Sequence, residues 1–201
     1  MSNLDVAVAA YVAYLLGSLS SAIIVCKIMG LPDPRTLGSQ NPGATNVLRI
    51  GGKKAAIITL LGDTLKGLLP VLIARWLGFD NTALALIALC AFLGHLFPIF
   101  FRFDGGKGVA TAIGCLLALN WPSGLCWIAT WAIIAVLFRY SSLAALAASL
   151  MAPLYIWFFT HETAYVISIS VMTLFLFVRH RQNIRKLIAG TESRIGEKKN
   201  K

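Results

Sequence analysis

Lys107 stands between Gly106 and Gly108 in the segment GHLFPIFFRFDGGKGVAT, Gly94 to Thr111. Flanking glycines leave the backbone unobstructed, so the ammonium and the neighbouring N–H groups can meet one phosphate together. The segment also opens a short apolar helix, whose N-terminal dipole favours an anion. It is not a Walker A loop: glycine follows the lysine, and Phe101 stands where that motif needs its first glycine. The bland alternative is a glycine turn. A second polar segment, GSQNPGATNVLRIGGK from Gly38 to Lys53, separates two strongly apolar runs and is followed by Lys54. Freed amides plus Arg49 and Lys53 are phosphate-holding parts, in a segment whose polar side chains, Asn41 and Asn46 among them, are candidate substrate contacts. The alternative is a solvated loop whose cations only set topology. The third segment, RHRQNIRKLIAGTE, runs from Arg179 to Glu192. In a helix Arg179, His180, Asn183 and Lys186 share a face through i, i+3 and i+4 relations. His180 can donate to a phosphate or act as acid or base near neutral pH. A basic stop-transfer end needs only Lys and Arg, so His180, Asn183 and Glu192 are superfluous to it.

The elements that carry these segments are membrane helices. Hydrophobic residues make up 58% of the 201 residues and charged ones 13%, with a mean hydropathy of +0.76; such a chain is solvated by lipid. Spans are expected near 6–29, 55–77, 83–101, 107–119, 123–138, 142–159 and 163–178, an all-α polytopic integral membrane protein of seven helices. They form one membrane domain over 1–201, with a basic cytoplasmic tail over 179–201. The Asn120-Trp121-Pro122-Ser123 turn divides a stretch too long for one span into two shorter helices. The first of these is too short to cross unaided, so its polar start must line a protein cavity.

Every basic residue except Lys66 and Arg75 flanks the first, third or fifth connection or follows the last span. The positive-inside rule then places the N-terminus outside and the C-terminus in the cytoplasm. The net charge of +10 fits topology and anionic lipid rather than nucleic acid, since no aromatic residues interleave the cations. Asp63 and Lys66, one turn apart inside the second span, read as a neutralising pair, a proton or ion relay being the alternative. His95 reads as a structural side chain that hydrogen-bonds a neighbouring helix. The four cysteines sit singly without CxxC spacing and read as small hydrophobes.

Together the three polar segments resemble, in order, spacing and membrane context, the three motifs of the bacterial membrane glycerol-3-phosphate acyltransferases of the PlsY family. The resemblance covers the whole chain. It implies a seven-helix enzyme of the bacterial inner membrane that moves an acyl group from acyl phosphate to the 1-hydroxyl of glycerol 3-phosphate, with no cofactor. The enzyme that makes acyl phosphate is a candidate partner. By resemblance Ser39 and the loop amides cradle the donor phosphate. Thr45 and Arg49 contact the phosphate region and acceptor, and Lys107, with Gly106 and Gly108, is the electrostatic centre between two phosphates. His180 and Asn183 face the acceptor, and Glu192 closes the third motif. Ser142 matches the family's serine after the fifth span, with Ser141 beside it as the other candidate.

The residues agree with that chemistry. Acyl phosphate is an activated mixed anhydride, so the protein's task is to overcome anion–anion repulsion, align the hydroxyl and stabilise departing phosphate. No histidine is followed four residues later by Asp, and no G-x-S-x-G elbow occurs; direct transfer without an acyl-enzyme follows. The base is either His180 or a substrate phosphate, the latter favoured because nearby arginines would depress the basicity of His180. A rival reading, a transporter of phosphate esters or other anions, needs cations on the opposite face, where the connections offer almost none. A structural scaffold leaves the polar segments unexplained.

Overall fold

The computed structural model describes residues 1–197, and among these no residue forms a strand. The tail residues Lys198, Lys199 and Lys201 lie outside the described residues. Helix α1, Asn3–Gly17, starts from a capping box between Ser2 and Asp5 and is bent by 42° from α2, Ser21–Ile28. The first apolar run, expected as one span over 6–29, is therefore broken at Ser18 to Ser20. The Ser18 hydroxyl donates back to the Tyr14 carbonyl, and the Leu19 carbonyl, which the break frees, accepts from Lys66 Nζ at 2.7 Å. Inside a bilayer a broken helix needs such a partner.

Helix α3, Ala44–Trp76, has 33 residues and is interrupted at Gly52, whose φ of 78° lets the axis kink. Its first part replaces most of the loop expected over 38–53. Val47 is fully buried in a small apolar cluster with Ala22, Val25, Cys26 and Ala55, so packing against α2 makes this polar stretch helical. Helix α4 spans Asn81–Leu96 and is capped by Asp80; Pro98 then leads into a 3-10 turn at Ile99–Phe101. Helix α5, Val109–Leu119, reverses at Asn120, whose carboxamide accepts from Ser123 and caps α6, Trp121–Phe138. Helices α7, Ser141–Thr160, and α8, Thr163–Arg179, follow. A bend of 59° separates α8 from the short α9, Arg181–Ile188.

Helix α5 lies against α3 through backbone contact: a Cβ added at Gly67 or Gly114 would overlap the carbonyls of Thr111 or Thr64. Small residues at crossings are how membrane helices gain packing without a hydrophobic driving force. Phe92, Leu84, Ile87, Leu116 and Ile156 fill the centre, while Val136 and Leu137 of α6 face outward, 78% and 68% exposed, as lipid contact requires. Residues Ala44–Trp76, Asn81–Phe101, Trp121–Phe138 and Ser141–Thr160 are each long and apolar enough to cross a membrane. Helices α1 with α2, and α8 with α9, meet that test only as bent pairs. The expected count of seven rests on these six and on α5, which at 11 residues is about 16 Å long and too short for a 30 Å core.

The bundle has two distinct ends. At one, Arg75 donates to the Leu119 carbonyl at 2.8 Å and Tyr165 donates to Asn81. At the other gather the segments around Ser39, Lys107 and Asn183. The short α5 begins at this end, at Val109, directly after the lysine segment. Our reading of the charge pattern puts this second end in the cytoplasm. In a protein freed of its four cysteines, Ser193→Cys should resist an impermeant maleimide added to intact cells. Labelling from outside would overturn the orientation.

Candidate active site

A polar cleft of about 250 Å³ opens at the second end. Ser39, Gln40 and Asn41 form one wall, and Asp104, Gly105 and Lys107 another. The α8–α9 corner supplies Arg179, Arg181, Gln182, Asn183 and Lys186. Among the described residues the cleft therefore has four cations against one carboxylate, and it suits a multiply charged anion.

The lysine segment is held from both sides. The Gly106 amide donates to the His95 carbonyl at 3.2 Å. Arg179 donates to the Gly106 carbonyl at 3.0 Å and to the Gly105 carbonyl. Gly108 has a φ of +85°, and a Cβ there would strike the ring of Phe92; only glycine fits. Lys107 Nζ donates to Asn183 Oδ1 at 2.6 Å. Asn183 Nδ2 and Ser142 Oγ both donate to Glu192 Oε1, at 2.7 and 2.6 Å. A continuous hydrogen-bonded chain thus joins Lys107 to the start of α7, and Ser142, not Ser141, is its end. At the N-terminus of α5 the amides of the first turn have no intrahelical partner and face an anion favourably.

Burial lowers the pKa of Lys107 to about 8, with the charges of Arg49, Lys186 and Arg179 adding to the fall and Glu192 opposing it. An ammonium that must be charged to hold phosphate is lost as pH rises through that value. We expect kcat/KM to fall about tenfold per pH unit above about 8, and Lys107→Arg to carry whatever activity it keeps past that limb. A flat profile to pH 10 in the parent would show that the charge of Lys107 is not needed.

His180 is 2% exposed, and its Nδ1 lies 2.8 Å from the Leu176 carbonyl. A carbonyl only accepts, so Nδ1 carries the hydrogen and Nε2 is left as an acceptor. Its pKa is lowered to about 4, first by burial and then by Lys107. The ring is therefore neutral at pH 7. The arginines invoked from sequence are not among the causes, and a neutral ring with Nδ1 engaged has no proton to donate to a phosphate.

The first segment is rearranged relative to expectation. Asn46, proposed as a substrate contact, is 1% exposed; it accepts from the Ser39 amide and donates to the carbonyls of Pro34 and Leu37. It shapes the loop, and it takes up one of the amides expected to cradle phosphate. The Gly106 amide is likewise spent, on His95. Ser39 and Asn41 line the cleft. Thr45 and Arg49 lie exposed on α3, one turn apart on one face, with Arg49 near enough for its charge to bear on Lys107. Sequence reasoning missed Arg179 as the clamp on Gly105 and Gly106. The only available signal was its place on the face shared with Asn183.

The chain is similar to known proteins over most of its length. Residues 7–190 match the glycerol-3-phosphate acyltransferase family. The chain is 58% identical over 194 residues to a glycerol-3-phosphate acyltransferase of Ralstonia pickettii, covering 94% of each chain. Against that of Methylococcus capsulatus it is 54% identical over 187 residues, covering 93% of this chain and 94% of the relative. The fold is similar to a crystal structure of PlsY (YgiH), an integral membrane glycerol 3-phosphate acyltransferase, in its glycerol 3-phosphate form. The TM-score is 0.91 at 38% identity over 96% of both chains. The lysophosphatidic acid form of PlsY gives 0.89 at 36%, again over 96% of both.

Proposed function

The chain belongs to the glycerol-3-phosphate acyltransferase family, and from that membership we propose that it acylates the 1-hydroxyl of glycerol 3-phosphate with acyl phosphate as donor. The product is lysophosphatidic acid, the first acylated intermediate of phospholipid synthesis. The hydroxyl oxygen attacks the acyl carbonyl carbon, the bond to the phosphate oxygen breaks, and inorganic phosphate leaves with the electron pair. The proton goes to a substrate phosphate, because a neutral histidine of pKa about 4 is a weak base beside a phosphate whose second pKa is about 6.

The observation that carries this reading is Lys107: a part-buried cation hydrogen-bonded to Asn183 at the mouth of a cleft that Arg179, Arg181 and Lys186 also line. Two dianions meeting there need such compensation before their reacting atoms can approach. Ser39 and Asn41 line one side of that cleft and Asn183 another; in this reading both substrate phosphates bind there beside Lys107, with Thr45 and Arg49 reaching the acceptor from α3 and His180 orienting its hydroxyl. Transport is less well supported, because Arg75, a cation at the opposite end, is engaged by the Leu119 carbonyl. Purified protein should convert palmitoyl phosphate and glycerol 3-phosphate to lysophosphatidic acid, and should not use palmitoyl-CoA. Turnover with the thioester and none with the phosphate would overturn the donor assignment.

A further inference from the structure

Behind the lysine segment lies an ion group for which acyl transfer, as described, has no direct use. Asp63, Lys66 and His95 are 2%, 8% and 7% exposed. Asp63 Oδ1 lies 2.8 Å from Lys66 Nζ and 3.7 Å from His95 Nδ1. Charge balance needs only the first two, and a buried ion pair is poor evidence of stabilisation, because desolvation offsets attraction. What the group touches is more telling. The His95 carbonyl accepts from the Gly106 amide at 3.2 Å, and the His95 ring occupies the space a side chain at Gly106 would need. The Asp63 carbonyl accepts from Thr111 Oγ1 at 3.0 Å, on the first turn of α5. Gly106 and Thr111 bracket Lys107. Both ends of its segment are therefore fastened to residues whose side chains face each other, and Lys66 ties the group onward to the Leu19 carbonyl at the α1–α2 bend.

We propose that Asp63, Lys66 and His95 form a positioning group that holds Lys107 at the cleft, an inference resting on the role given to Lys107 above. Polar contacts buried in lipid-surrounded protein are stiff, because breaking one strands its partner without water. His95→Ala keeps the carbonyl that receives the Gly106 amide but removes the ring that Gly106 packs against, so the Gly105–Gly108 backbone is free to shift into that space and the ammonium moves with it. A shift of about 1 Å at such a group is enough to cost about 100-fold in rate. The groups bearing on the ammonium itself are Asn183, Lys186 and Glu192 from α9 and the chain beyond it, Arg179 from α8, Arg49 from α3 and His180 from the α8–α9 corner.

The test uses full-length protein with two variants, His95→Ala and the gentler Thr111→Val, which removes one hydroxyl. Acetic anhydride labelling of Lys107 against pH, read by peptide mass spectrometry, reports the ammonium's surroundings without needing turnover. The labelling midpoint, about 8 in the parent, should rise in both variants as the group gains water. With palmitoyl phosphate and glycerol 3-phosphate, kcat/KM should fall about 30-fold or more for His95→Ala and several-fold for Thr111→Val, its alkaline limb moving up with the midpoint. A purely structural role lowers the amount of active enzyme and leaves midpoint and limb unmoved; that result would overturn the proposal. So would unchanged activity in both. Should His95→Ala not fold, the labelling midpoint of Thr111→Val decides alone. A parent that labels as expected yet makes no lysophosphatidic acid would instead sink the acyl-transfer reading.

Discussion

Lys107→Ala is expected to lower kcat/KM by at least about 100-fold, a loss of about 2.7 kcal/mol of transition-state stabilisation. On the function proposed above the lysine meets two phosphates while itself half-buried, and there a cation is worth far more than in water. Among the described residues no neighbour is placed to substitute: Arg179 is held by the carbonyls of Gly105 and Gly106, and Arg181 and Lys186 lie exposed on α9. Loss of activity should not come with loss of fold. Burial lowers the pKa of Lys107, so its charged form is less favoured in the folded protein than in water, and its removal relieves that cost. The variant should therefore melt no earlier than the parent in the same detergent, which separates a site effect from unfolding. Arg49→Ala should cost a similar factor if its guanidinium clamps a phosphate, even though it is exposed without substrate. Near-normal kcat/KM in a well-folded Lys107→Ala protein would remove that residue from the site, and the electrostatic account with it.

The parts legible in the sequence are those that break the rule lipid imposes. Lys107 between glycines, and Arg49 on a polar stretch between apolar runs, are visible because an apolar neighbourhood makes a polar residue conspicuous. The all-helical membrane architecture follows from the same rule, and the family relation supports it. Features that obey the rule locally stay hidden. The α1–α2 bend lies within an apolar run, and its cause, the Ser18 hydroxyl with Lys66 waiting for the Leu19 carbonyl, needs helices far apart in the chain. Asn46 looks like one more polar residue of a glycine-rich loop; only when Val47 buries against α2 does the helix form that turns its carboxamide inward. Arg179 is indistinguishable from a stop-transfer cation until the bend at α9 aims it at Gly105 and Gly106. The convergence of His95 on Asp63 is a tertiary fact with no period or motif to announce it.

Replacement of His180 separates the two candidate bases. If a substrate phosphate takes the proton, His180→Asn or His180→Gln should raise the KM for glycerol 3-phosphate by about tenfold while kcat stays measurable. Nε2, left as an acceptor by the Leu176 contact, is suited to receive a glycerol hydroxyl and orient it, and loss of one such bond is of that size. The acidic limb of kcat/KM should then follow the second ionisation of phosphate, near pH 6, and stay there in the variant. If His180 is the base, its removal should cost about 100- to 10,000-fold in kcat at saturating acceptor. The parent's acidic limb would then sit near 4, where burial and Lys107 put the imidazole, and would vanish with the side chain. A phosphonate donor that cannot transfer its acyl group should bind the variants and the parent alike, so that binding is scored apart from chemistry. Collapse of kcat with unchanged binding would make His180 the base; a limb near 6 that survives its loss leaves the proton with the substrate.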